Sequence, residues 1–468
     1  MIYSQPTLNT IQFCERRKKC QKKLKIQAIL AWIMLSNLCA NLINYLKKII
    51  FSHEFLARHK NSPEAFTRKR KLPFHTLLFF LMNLVKGSYQ DELDKYFQAI
   101  HSFKVAKRIV SKVALSKARM KLGYSAFIEL NRHLADYFYR KFKPLTWHGF
   151  NLLAVDGTTF RLPRIKEIAE HFGAWNPRNG GECPMARGSQ LFDPLNKISI
   201  DAIISPKEIG ERELAAHHFL NLLPEDLVLL DRGYPAYWLF NLILSLDSNF
   251  CARISYKKWK IIRKFYNSGK TDKIISLSAP GTSIRQCREM GLDILPLKLR
   301  LIRVELDTGI TEVLITSLID KDSYPAEIFM ELYHKRWPVE EDYKTMKCWL
   351  EVENFSGKSV LSVYQDFYAK VFSKNLTSVL AFPTREIIEQ NSRTCKHPRQ
   401  INFTQALSRI KNVIVLLFNH IGESVTDIIS DLHEIFIRTT EPIRPGRKFP
   451  RNHKSMRRLF YLNYKPIS

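Results

Sequence analysis

Tyr333, Arg336, Glu340 and Lys347 stand at offsets of 0, 3, 7 and 14 within a stretch, 326–349, that reads as helical. At about 100° per residue they fall near 0°, 300°, 340° and 320°, an arc of roughly 60° on one helix face. Such a face offers a carboxylate for a metal ion, an Arg and a Lys for phosphate oxygens, and a phenol for a phosphate or a base. Pro338 removes a helix hydrogen bond and disfavours α geometry at Trp337, so the helix is expected to start or kink there. Glu341 and Asp342 are rival carboxylates, each turned away from that face by about 100° or more.

Two more acids close short apolar runs. Phe150-Asn151-Leu152-Leu153-Ala154-Val155-Asp156-Gly157 and Asp226-Leu227-Val228-Leu229-Leu230-Asp231-Arg232-Gly233-Tyr234 have the pattern of buried strands, each with a carboxylate at its C-terminal end. Ligands of open α/β sheets bind outside the carboxyl ends of the strands. If these two strands are neighbours, Asp156 and Asp231, 75 residues apart, converge there, and a helix acid could complete an oxygen cage. Mg²⁺ prefers hard carboxylate oxygens and suits a phosphate substrate. Two such ions about 3.5–4 Å apart activate water or a 3′-hydroxyl for in-line displacement.

Positioning these residues requires an α/β core. Lys197 to Ser205 alternates as a strand, Glu211 to Leu223 reads as a helix, and Cys251 to Ser255 as a further strand. The stretch 256–318 turns β-rich, with strands at 273–277 and 297–306 joined through Asp307-Thr308-Gly309 to 310–317, a hairpin pattern. The segment 48–145 is helical and basic. A charged run, Phe66-Thr67-Arg68-Lys69-Arg70-Lys71-Leu72-Pro73, leads into a helix over 74–85, and Ser88-Tyr89-Gln90-Asp91-Glu92-Leu93 reads as a turn and N-cap before another. A short basic helix over 111–122 ends at Gly123. It fits either a helix-turn-helix-like reader of DNA or a solvated face. The remainder is mostly helical and closes on a basic tail with Arg444, Arg447, Lys448, Arg451, Lys454, Arg457 and Arg458.

At 468 residues the chain exceeds one ordinary core, and two to four domains are expected. Hydrophobic residues at 45% and charged residues at 25% exclude wholesale disorder. A formal charge of +29, from 73 Lys plus Arg against 44 Asp plus Glu, calls for a polyanionic partner. The 8 cysteines include no CxxC pair, which argues against a zinc ribbon or a dense disulfide framework and for a reducing compartment. Residues 26–46 carry no charge and follow a basic run, but Gln27, Ser36, Asn37, Asn41 and Asn44 interrupt them. A partly buried helix or an extra leader is expected there rather than a membrane anchor. No period of 20 to 50 residues repeats, which excludes solenoids and propellers.

The arrangement Tyr-x2-Arg-x3-Glu-x6-Lys, met by Tyr333, Arg336, Glu340 and Lys347, resembles the signature of the insertion-sequence-four family of bacterial DDE transposases. Asp156-Gly157-Thr158-Thr159 and Asp231-Arg232-Gly233-Tyr234 precede it in the family's order. Met185-Ala186-Arg187-Gly188-Ser189-Gln190-Leu191-Phe192-Asp193 resembles the family's core between the first two acids. The resemblance covers roughly residues 50–460. It implies a ribonuclease H-like α/β core interrupted by a β-rich insertion, with mainly helical N- and C-terminal regions. The divisions expected are 1–47 (leader or extra helix), 48–148 (helical, binding DNA ends), 149–255 (core, first part), 256–318 (insertion), 319–375 (core, second part) and 376–468 (helical, with the basic tail).

Carried over motif by motif, the resemblance implies that Asp156, Asp231 and Glu340 are catalytic and hold two Mg²⁺ ions, with Mn²⁺ as a substitute. Tyr333, Arg336 and Lys347 would grip phosphates near the cleaved end. An insertion aromatic, Trp259, Tyr256 or Phe265, would hold a flipped base. Arg253 is a candidate phosphate ligand, with a surface salt bridge as its plainer role. The expected reaction is cleavage at terminal inverted repeats and joining of the ends to target DNA. The expected setting is the bacterial cytoplasm, with DNA as partner, a homodimer on DNA and no membrane. A catalytically inactive regulator that competes for ends is the alternative from a different class.

Overall fold

The computed structural model of this chain describes residues 32–175, 183–305, 309–419 and 424–444. Most of the expected leader, the tail beyond Arg444, and Asp307 and Thr308 of the expected hairpin lie outside the described residues.

One mixed sheet of nine strands forms the centre. Its strands are β1 (Asn151–Arg161), β2 (Ala174–Trp175), β3 (Cys183–Asp193), β4 (Ile198–Pro206), β5 (Asp226–Leu230), β6 (Asn249–Ile254), β7 (Asp272–Leu277), β8 (Leu297–Glu305) and β9 (Thr311–Thr316). The order is β2-β3-β1-β5-β6-β9-β8-β7, with β4 also pairing β3. β4, β3 and β1 run antiparallel, β5 and β6 lie parallel to β1, and β9, β8 and β7 continue antiparallel.

The two-residue period of the strands assigns their side chains to two cores. Leu152, Ala154, Leu227 and Leu229 enter one, while Leu153, Val155, Val228 and Leu230 enter the other. All five residues of β5 are buried, as a strand covered on both faces requires. Helices Glu211–Phe219 and Tyr237–Ser245 cover the second face. The first face is covered by the N-terminal helices and by Val360–Ala381, a 22-residue helix buried along nearly its whole length. Phe160 lies across Gly188 on the neighbouring strand so closely that a Cβ there would sit 2.2 Å from the ring.

The uncharged N-terminal stretch, where described, is a helix over 32–50 whose Cys39, Leu42, Ile43 and Leu46 pack into the first core. Among the described residues no helix is long and apolar enough to cross a membrane. Segment 256–318 holds two helices, Lys260–Asn267 and Gly281–Glu289, beside its strands, and β9 hydrogen-bonds directly to β6. β8 and β9 pair antiparallel, with Glu305 opposite Thr311. Ser88 makes no side-chain cap; the Glu92 carboxylate accepts from the amides of Lys86 and Gly87 instead. Ser111 does cap the Lys112–Arg119 helix, accepting from Ala114 N. No tight turn precedes that helix, since the previous one ends at His101, so a compact helix-turn-helix is not what forms.

Burial pushes the Asp226 carboxyl, at the start of β5, up to about 6, against hydrogen bonds from Leu223 N and Asn151. The folded chain keeps this proton to about pH 6, whereas an ordinary aspartate loses it near 3.8. The group therefore stabilises fully below the lower value, and that stability is lost as pH rises through about 6. Asp226→Asn is expected to gain stability relative to the parent between pH 4 and 6.5, read from paired urea titrations; a difference independent of pH would refute the assignment.

Candidate active site

Strand register places the first acids. Val155 pairs with Leu230, and Leu230 with Ala252, all in parallel ladders. The next residues, Asp156, Asp231 and Arg253, therefore form one row across three neighbouring strands about 4.8 Å apart. Asp231 lies just past the end of β5, whereas Asp156, expected at a strand end, sits midway along β1, where the parallel ladder to β5 stops and β1 runs on to Arg161 against β3.

The third acid arrives on a broken helix. Ile328–His334 and Pro338–Lys344 are separate helices with Pro338 at the first position of the second, and a π-helical turn, Thr345–Trp349, follows. The single continuous face expected at 3.6 residues per turn is thus interrupted twice, yet its residues still meet. Tyr333 Oη donates to Asp231 Oδ1 at 3.3 Å. Arg336 Nη2 donates to Glu340 Oε1 at 2.6 Å, and its Nη1 lies 3.9 Å from Asp156 Oδ2. One guanidinium thus spans two of the three acids. Lys347 Nζ turns to β1, donating to Thr158 Oγ1 at 2.6 Å and Thr159 O at 2.8 Å. Arg253 bridges Asp231 at 2.9 Å and Glu312 at 2.8 Å.

The three carboxylates were expected to gather into a metal cage. Among the described residues, however, no group of three or more His, Cys, Asp or Glu is placed to hold an ion. Arginines stand among these acids instead. Trp259 lies apart from this row: half-buried, it packs edge-on against Phe240 at 6.3 Å. Phe265 is buried, and Tyr256 is exposed and stacked on Tyr266 at 4.6 Å.

The electrostatics separate the acids. Burial raises the Asp156 carboxyl to about 6, opposed by the Gly157 N–H and Arg336 and assisted by Glu340 and Asp231. Burial would raise Asp231 too, but the Arg232 N–H, Arg253, Arg336 and Tyr333 together hold it below the ordinary range. Several buried donors find no hydrogen-bond acceptor, namely Arg336 Nε and Nη1, Arg253 Nε, Arg187 Nε and Tyr234 Oη. Unsatisfied donors concentrated around one row of acids match an absent anionic or aqueous ligand rather than a finished core.

Residues 147–376, which contain every residue of this row, match the family described as a transposase DDE domain. Transposase InsG for insertion sequence element IS4, from Escherichia coli (strain K12), is 21% identical over 394 residues, covering 82% of this chain and 86% of its own length. The chain carries a transposase DDE domain and is similar to a transposase of insertion sequence element IS4. Putative transposase InsZ from the same organism is 24% identical over 196 residues, or 41% of this chain and 63% of that protein. Superposition on a piggyBac transposase synaptic complex with hairpin DNA covers 88% of both chains at 11% identity and a TM-score of 0.43.

The transposase has site residues that spacing did not mark. Glu312, on β9, fixes Arg253 from the far side. Tyr343 Oη donates to the Asp156 carbonyl at 2.8 Å, tying the Glu340 helix to β1. Glu211 pairs with Arg187 at 3.3 Å beside Gly157. Spacing gave no hint of any of the three, because each depends on contacts across elements. Arg253→Met leaves Asp231 and Glu312 without their shared cation. It is expected to raise the Asp231 pKa, read by NMR titration of the carboxyl; an unmoved Asp231 titration would refute the pairing.

Proposed function

We propose that this transposase cleaves DNA at the terminal inverted repeats of an insertion sequence and joins the freed ends to target DNA, on a ribonuclease H-like core. The observation that carries this reading is the row of Asp156 and Asp231 on adjacent strands, just beyond the end of their shared parallel ladder, with Glu340 linked to Asp156 through one guanidinium. The order β4-β3-β1-β5-β6, antiparallel and then parallel, supports the ribonuclease H-like core, with segment 256–318 as the insertion.

The donor set suits a hard divalent cation. It offers carboxylate oxygens from three elements, with no thiolate or imidazole among them, and Asp156, Asp231 and Glu340 are the residues that would hold Mg²⁺ or Mn²⁺. The metal supplies activation of the attacking oxygen and stabilisation of the leaving one. The chain's own cations then have distinct tasks. Arg336 and Arg253, with unused N–H groups, face the phosphate being cut and exchange their carboxylate partners for phosphate oxygens. Lys347 is held at the edge of β1 by Thr158 and the Phe160 ring, where it meets the backbone beside the cut. Tyr333 orients Asp231. Of the insertion aromatics, Trp259, edge-on to Phe240, and Tyr256, exposed but stacked on Tyr266, are the two with surface open to an unstacked base. A dimer holds two ends together.

The direct test is purified protein with Mg²⁺ and the DNA flanking its own gene. Nicks at matched inverted repeats, absent in EDTA, are expected; intact DNA alongside normal end binding would favour the inactive regulator.

A further inference from the structure

We infer that the cleft between the 66–72 turn and the Lys112–Arg119 helix grips the phosphate backbone of duplex DNA without reading its bases. The inference rests on the reading of this chain as a transposase acting on DNA. It concerns a surface outside the row of acids and a mode of contact that the reading leaves open.

The cleft has a volume of about 720 Å³ and is lined by Arg68, Arg70, Lys71, Lys117 and Lys121, with Glu64 the one acid among its described lining residues. None of the five cations forms an ion pair among the described residues, although elsewhere on this surface Arg58, Lys166 and Arg285 do. Four of the five are exposed and Lys121 is half-buried. Clustered like charges without local acids repel one another, and such an arrangement persists where a polyanion compensates it.

The geometry favours backbone over bases. Ser111, Ala114, Lys117, Ala118 and Lys121 line the cleft at helical spacing, so the wall between the lysines is built of small side chains that let a strand approach closely. The helix has 8 residues, about 12 Å, and its other anchor points into the protein. Arg119 is buried, donating to Gln365 and Asp366, both at 2.8 Å, and to the Ser362 carbonyl at 3.1 Å. A helix held down in this way offers cations along a wall and cannot tip into a major groove. Lys71, Lys117 and Lys121 bind phosphates as point charges, and the forks of Arg68 and Arg70 suit phosphate oxygens from a segment that is not a helix able to enter a groove.

Arg119 gives the cleft a fixed place relative to the catalytic part. Gln365 and Asp366 belong to the long central helix, and Asp366 also accepts from Ser356, which in turn accepts from Tyr89. Lys86 Nζ donates to the Trp349 carbonyl at the end of the π turn that carries Lys347. Duplex held in the cleft is therefore held at a set distance from the acids.

The test measures binding of the full chain in EDTA, so a failure of cleavage chemistry leaves it untouched. Fluorescence anisotropy across a salt series compares a duplex carrying the gene's own inverted repeat with a scrambled duplex. Arg68→Ala/Arg70→Ala/Lys117→Ala/Lys121→Ala is expected to weaken both by the same factor, at least tenfold, and to reduce the slope of log K against log salt by about 3 to 4. The milder pair Lys117→Gln/Lys121→Gln, which keeps both aliphatic stems, is expected to reduce that slope by about 2. A control quadruple, Lys358→Ala/Arg393→Ala/Lys396→Ala/Arg409→Ala, removes the same charge elsewhere on the surface. Unchanged affinity, a loss confined to the inverted-repeat duplex, or an equal loss in the control would each overturn the proposal.

Discussion

Asp156→Ala is expected to bind inverted-repeat DNA within about threefold of the parent while cleaving it roughly 10³-fold more slowly. Asp156 is the middle of the arrangement: it stands within β1 beside Asp231, and its Oδ2 is 3.9 Å from the guanidinium that also holds Glu340. Its removal takes away a metal ligand under the proposed chemistry and leaves a site richer in positive charge, so attraction for phosphate is not reduced. Gel-shift titration and single-turnover cleavage on the same preparation separate the two effects. Cleavage retained in the variant would end the reading of this row as the catalytic centre. Binding lost in step with cleavage would show that Asp156 shapes the surface rather than the chemistry.

Lys374→Met is expected to destabilise the protein by about 3–5 kcal/mol, because it strands a buried carboxylate. Lys374 is fully buried on the central helix, where its Nζ donates to Asp342 at 2.5 Å and to Ser199 Oγ at 2.8 Å. Burial drives its pKa down, and the Asp342 charge opposes that shift. Gln190 also donates to Asp342, at 3.1 Å, and Gln190 is the register partner of Asp156 on β3. Asp342 is two residues from Glu340, so the pair fixes the rotation of the helix that delivers the third acid. The double variant Lys374→Met/Asp342→Leu removes both charges and is expected to recover most of the lost stability in urea titrations. A double variant as unstable as the single would mean that packing, not the stranded charge, causes the loss.

The strands that place the site were readable from the chain, because a run such as Leu227 to Leu230, buried on both faces, has no other use for its residues. Asp231 followed from them as a strand-end acid, whereas Asp156, read as closing its run, stands inside β1, which continues to Arg161. The signature face was read from spacing as one helix, and the structure divides it at Pro338 and again at the π turn, although Tyr333, Arg336 and Glu340 still converge. Pro338 announced the first break. Nothing in Thr345–Trp349 announces the second, since a π turn reflects how the helix end docks on β1 rather than any local preference. Asp342 was read as a carboxylate turned away from the site, and spacing had that right. Its partner, 32 residues further on, was invisible because long-range ion pairs leave no periodic trace. Arg336 was read on the face of Glu340 and Arg253 as a phosphate ligand or a salt bridge, but their approach to Asp156 and Asp231 was hidden, since spacing orders residues along an element and says nothing of which charge lies opposite.

The ladder between β6 and β9 has a consequence for shortened forms of this chain. Excising residues 256–318 would strip β6 of its neighbour and leave the backbone of Asn249–Ile254, with Phe250, Cys251 and Ala252 buried in it, as a bare apolar rim. Such rims recruit strands from other molecules. Internal deletions there would therefore yield clumping, protease-prone chains, so copies of the gene damaged at this point would fall silent rather than persist as soluble antagonists of intact ones.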